Sequence, residues 1–178
     1  MKMTIEDIIA REEIRACIAR VARGEDRRDA LMIESSFCAN ARLDFGVFAG
    51  AFADYLSWVI PGSEAISNTL HQLGQSHIEL CGDTALVETQ VTSYHRIDYG
   101  AGEEHDVVIG GRYLDRLTLR EGSWRIASRT MLYDWHQDWG KSVDWSQGLL
   151  GMQFSAPHFS GRAKGDWSMD FFNADRVS

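Results

Sequence analysis

The chain has 178 residues, 44% of them hydrophobic and 25% charged, which suits one soluble domain with its own core. Its 26 acidic and 18 basic residues leave a net charge of −8, which argues against nucleic acid and anionic membrane surfaces as partners. No apolar run approaches the ~20 residues of a membrane span, and the opening MKMTIEDIIAREE carries acids where a secretory signal would be apolar. Cys17, Cys38 and Cys81 are odd in number and form no CxxC, so neither a disulfide framework nor a zinc site is indicated and a reduced, cytoplasmic protein is expected.

The spacing predicts a helix over 4–23, with Thr4 as N-cap, Asp7 completing a near capping box, and Ile5, Ile8, Ile9, Ile14, Cys17, Ile18 and Val21 on one apolar face. Gly24 is suited to end it. A second helix follows over 27–37 with Leu31, Ile33 and Phe37 as core candidates, then a short strand at 41–46 and a third helix at 52–60 stopped by Pro61-Gly62. From there the hydrophobic period changes from 3.6 to 2. Segments 69–80, 84–98, 105–119 and 123–136 read as long strands joined by turn-forming residues. Helices followed by hairpin-connected strands give an α+β domain, its helices packed on a curved antiparallel sheet. Residues 139–178 mix Gly, Ser and Pro with Leu149, Met152, Phe154, Phe159, Trp167, Phe171 and Phe172, and read as an arm or lid because so many aromatics are costly to leave in water.

Strand parity brings ionisable groups to the apolar face. His71 lies among Leu70, Leu73, Ile78 and Leu80; His95 shares parity with Val87 and Val91; Arg129 falls between Ala127 and Met131, with Tyr133 and Trp135 beyond. Tyr113 and Asp115 follow Val107 and Ile109 on theirs. Each alone reads as a satisfied core residue, because burying an unpaired charge costs several kcal/mol. Together they favour a polar-lined cavity. A β-bulge would reverse any of these assignments locally. Asp26, in RGEDRRDA, is consistent with a helix cap as well as with a functional carboxylate.

Three stretches, EEIRACIARVARGEDRRD, HQLGQSHIEL and GGRYLDRLTLREGSWRIASRTMLYDW, give the chain a resemblance to the SnoaL-like branch of the nuclear transport factor 2-like superfamily over roughly residues 5–136. The resemblance implies a cone-shaped α+β barrel around a deep apolar cavity, built by residues 1–138, with 139–178 as the added arm or lid. It also implies a homodimer or homotrimer. In dehydratase and dehydrochlorinase members an Asp at the helix junction pairs with a His on the first long strand, and these match Asp26 and His71; an arginine of the dehydrochlorinase's last strand matches Arg129. A lysine late in that enzyme's first helix falls on Val21, so part of its apparatus is missing here.

A carboxylate that fixes the tautomer of an imidazole and stabilises the imidazolium makes a general base, worth ~10²–10⁴-fold. Arg129 would bind developing negative charge, and Tyr55, Trp58, His95, Tyr113, Met131 and Tyr133 are the candidate substrate contacts. The implied function is a cofactor-free lyase acting on a small apolar, aromatic or polycyclic substrate and expelling water or another small fragment, formaldehyde included. An isomerase or polyketide cyclase using the same base is the alternative. So is a non-catalytic binding module like a dioxygenase small subunit. His71, His77 and His95 as ligands for zinc or iron are a weaker third reading, and there is no GxGxxG or P-loop for a nucleotide.

Overall fold

The computed structural model describes residues 3–60, 65–100, 102–155, 158 and 166–174. Helix α1 (Ile5–Arg27) begins at Thr4, whose hydroxyl accepts the Asp7 amide while the Asp7 carboxylate accepts the Thr4 amide. It does not end at Gly24 but runs to Arg27, where Arg28 takes the left-handed conformation (φ 52°). Gly24 serves packing instead: a Cβ there would lie 2.7 Å from Ile33 Cγ1 of the next helix, α2 (Ala30–Glu34). The helix expected over 27–37 is therefore reduced to one short turn, and Phe37 opens strand β1 (Phe37–Asp44). The buried stripe of α1 starts at Ile14; Ile5, Ile8, Ile9 and also Leu31 are exposed, because among the described residues no element covers the first two turns or the outer side of α2.

Strand β2 (Ala49–Ala51) leads into α3 (Phe52–Val59), and four long strands follow: β3 (Ile66–Cys81), β4 (Thr84–Asp98), β5 (Glu104–Arg120) and β6 (Ser123–Lys141). The Pro61-Gly62 stop lies outside the described residues. The six strands form one curved sheet in the order β2-β1-β6-β5-β4-β3. It departs from the expectation in two respects. It is mixed, not antiparallel, because β1 pairs parallel to β6. It is also not closed into a barrel: β2 and β3 are its edges, and the helices complete the wall.

Two register shifts decide which side chains face inward. Between Leu73 and Ser76 the β3–β4 pairing slips, so Ile78 is buried while His77 turns to solvent opposite Glu88. Between Gly110 and Gly111 the β5–β6 pairing slips over Asp134, so Tyr133 lies opposite Gly111 and Trp135 opposite Gly110. The bulge sends Trp135 to the outer face, where its indole lies so close to Gly110 that a Cβ there would be 2.1 Å away. Leu70, expected in the core, is likewise outward and 54% exposed. The core lies between α1, α2, α3 and the inner face, with Ile14, Ile18, Ile33, Phe37, Leu117 and Ile126 almost fully buried.

Beyond β6 a small hairpin, β7 (Gly148–Leu149) and β8 (Met152–Gln153), precedes α4 (Trp167–Ala174); Phe159 lies outside the described residues. The α4 end of this arm sits against the last turns of α1. Asp166 pairs with Arg27 at 3.2 Å, Arg23 donates to Ser168 Oγ at 3.1 Å, and the Arg23 guanidinium stands 5.1 Å from the Phe172 ring.

Candidate active site

Extending the buried stripe of α1 by one turn, Val21 and Ala22 lead at four-residue spacing to Glu25 and Asp26, so the helix buries two consecutive acids, 5% and 9% exposed. Such groups need partners. Asp26 finds three on β3: its Oδ1 accepts from Thr69 Oγ1 at 3.2 Å and meets His71 Nδ1 at 2.6 Å, and its Oδ2 accepts the His71 backbone amide at 3.0 Å. The contact to Nδ1 fixes the neutral imidazole as the Nδ1–H tautomer, with the Nε2 lone pair free.

Nε2 points away from Asp26, toward Glu25 Oε2 at 3.5 Å. The sequence pattern does not mark Glu25, because a helix ended at Gly24 leaves it outside the apolar periodicity that would place it inside. Its Oε1 accepts a short hydrogen bond from the hydroxyl of Tyr55, a fully buried residue of α3. Burial, reinforced by that carboxylate, pushes the Tyr55 hydroxyl well above its ordinary value, so it stays a donor.

These groups sit at the wall of a cavity of about 270 Å³ between the helices and the inner face of the sheet. Tyr55, Trp58, His95, Tyr113, Met131 and Tyr133 all line it, as do Glu25 and His71. Asp26 does not; it stands behind the imidazole. Most of the remaining surface is apolar, from residues such as Phe45, Val59, Ile66 and Ile109. The Tyr133 hydroxyl is committed to the Phe45 carbonyl at 2.8 Å and so anchors the loop after β1.

Arg129 occupies a different place from the one expected of a group that binds a leaving atom. It is 1% exposed and does not line the cavity; Nε and Nη2 donate to the two Asp115 oxygens, each at 2.8 Å, and the guanidinium stacks 4.0 Å over the Tyr113 ring. The cross-strand register forces this pairing, since Asp115 and Arg129 are direct partners. Burial opposes the charge, but Asp115 outweighs it and holds the arginine ionised.

The two histidines have opposite electrostatics. Burial disfavours a charged His71, yet the Asp26 hydrogen bond and the pull of Glu25 and Asp26 prevail and raise its proton affinity. His95, 5.8 Å away ring to ring, is pushed down to about 4 by burial and by repulsion from His71. It is a neutral imidazole whose Nδ1 is buried with no hydrogen-bond partner among the described residues. The three-histidine metal reading fails on topology, because the bulge puts His77 on the opposite face. Among the described residues no three His, Cys, Asp or Glu side chains are grouped to hold a metal.

The SnoaL-like domain model matches residues 6–130, more than two thirds of the sequence, and the chain belongs to this family, within the nuclear transport factor 2-like fold. No match is found among the curated proteins. Among solved structures it is similar to a hexachlorocyclohexane dehydrochlorinase of type 2 (15% identity, TM-score 0.67, covering 85% of this chain and 96% of that one). It is equally similar to a candidate scytalone dehydratase from Novosphingobium aromaticivorans (16% identity, TM-score 0.67, covering 85% and 100%). A candidate aromatic ring hydroxylase from the same organism matches at 21% identity and TM-score 0.66, covering 77% and 96%. At these identities the likeness is one of fold, in a superfamily that includes small-molecule-processing enzymes. Among the described residues no helix is long and apolar enough to cross a membrane.

Proposed function

We propose that the protein is a cofactor-free lyase that uses the Asp26–His71 pair on a small, largely apolar aromatic or polycyclic substrate. The observation that carries this is the geometry of His71. Nδ1 is held by a buried carboxylate at 2.6 Å, leaving Nε2 without that partner at the wall of a largely apolar cavity, beside Glu25. A base so oriented takes a proton from a substrate carbon, Asp26 stabilises the imidazolium, and the electron pair released expels a group from the neighbouring carbon. Asp26 acts through His71 and is a positioning residue. Neutral His95, with its unpaired Nδ1, supplies a hydrogen bond to a substrate oxygen. Arg129 acts at one remove, holding Tyr113 in the cavity wall.

The comparisons support a reaction of this kind, since structures of similar fold carry dehydrochlorinase and dehydratase names. Whether water, formaldehyde or another fragment leaves is decided by the substrate, and an isomerisation would begin with the same proton transfer. The test is turnover of a panel of hydroxylated aromatic compounds followed by mass spectrometry. The reading requires loss of a small fragment by the wild type, and none by folded His71→Ala or Asp26→Asn. Turnover at unchanged mass would replace elimination by isomerisation, and activity surviving both substitutions would refute the pair.

A further inference from the structure

Of the two buried acids, Glu25 rather than Asp26 reaches the cavity, and it does so beside the nitrogen left free by Asp26. A carboxylate facing the lone pair of a neutral imidazole in an apolar wall would be repelled; one proton placed between them removes the repulsion. Tyr55 already donates to Oε1, so Oε2 is the oxygen available to hold that proton. We propose that Glu25 is the second catalytic group of the site: it shares one proton with His71 Nε2 and delivers it from Oε2 to the leaving oxygen. This rests on the elimination proposed above and supplies its missing acid.

In the step, His71 Nε2 takes the proton from a substrate carbon and the C–H pair becomes the new C=C bond. The neighbouring C–O bond breaks with its electrons on oxygen, Glu25 gives that oxygen its proton, and water leaves. His71 is then an imidazolium and Glu25 a carboxylate, 3.5 Å apart. Once the ion pair closes from 3.5 Å to hydrogen-bond length, return of the proton from Nε2 to Oε2 restores the starting state without help from solvent. The arrangement favours substrates whose hydroxyl sits next to the acidic carbon, in reach of both groups. Asp26, Tyr55, His95, Arg28, Tyr113 and Arg129 are the other ionisable groups around the pair.

The direct test is an NMR titration of ¹⁵N-histidine-labelled wild type, Glu25→Gln and Tyr55→Phe, following His71. Removing the carboxylate should lower the His71 midpoint by ~1–3 pH units. Removing the tyrosine donor should raise it, because the Glu25 charge, no longer shared with the tyrosine hydroxyl, then acts more strongly on the imidazolium. Two opposite shifts are a signature that loss of packing would not give. A midpoint unmoved in both variants would overturn the sharing. In parallel, dehydration of a β-hydroxy aryl ketone, whose hydroxyl is a poor leaving group until it is protonated, should fall ~10²–10⁴-fold in Glu25→Gln; equal rates would overturn the acid role. Failure of the elimination reading itself would look different: the His71 midpoint would respond to Glu25, while proton abstraction survived His71→Ala.

Discussion

The Asp26 carboxylate grips His71 twice, by the ring at Nδ1 (2.6 Å) and by the backbone amide (3.0 Å), so side-chain orientation and strand position are fixed by one group. Asp26→Asn keeps the size but loses the charge. Proton transfer should fall ~10²–10⁴-fold, and the His71 midpoint should fall with it, since the hydrogen bond and charge that raise it are weakened. Steady-state kinetics with an NMR titration checks both.

The two histidines should impress opposite pH dependences on stability. His71 binds its proton more tightly folded than unfolded, so its contribution is complete below its ordinary value of 6.5 and is lost as pH rises through the raised folded value. His95 is pushed down to about 4, so between pH 6.5 and 4 the unfolded chain takes up a proton that the fold refuses, and acidification destabilises over that window. Melting temperatures measured against pH should lose the acid-side slope in His95→Gln and the neutral-to-alkaline slope in His71→Gln.

Arg129 should matter first to folding. Asp115→Ala leaves a guanidinium buried without its counter-charge and should cost ~3–5 kcal/mol. The double variant Asp115→Leu/Arg129→Met should recover much of that loss. Urea unfolding of the two variants checks the order; a single variant as stable as the wild type would contradict the account.

Gly24→Ala tests the junction that carries both acids. The added methyl meets Ile33 Cγ1 at 2.7 Å and the Ile33 amide nitrogen at 3.2 Å, so α2 must shift. Helix propensity favours alanine by ~1 kcal/mol, but overpacking costs ~1–3 kcal/mol. A net loss of stability is expected in thermal melts.

The parts of this site legible in the sequence were those governed by period. Alternation placed His71, His95, Tyr113 and Met131 on one inner face, and they do line one cavity. What escaped were events a period cannot show. A glycine inside a helix looks like a stop, and reading Gly24 so hid Glu25. Bulges at Gly74 and at Asp134 cost nothing in hydrophobic pattern, yet they turned His77 and Trp135 outward. The parallel β1–β6 pairing and the Asp115–Arg129 pair depend on register between strands, which is set by tertiary packing.

The most direct measurement is the ring opening of a nitrobenzisoxazole, an apolar aromatic probe whose elimination needs a base and no acid. The account predicts that the wild type accelerates it above buffer, with a rate that vanishes in His71→Ala and falls sharply in Asp26→Asn. A rate equal to buffer in the wild type, or one that persists in His71→Ala with the protein folded, would contradict it.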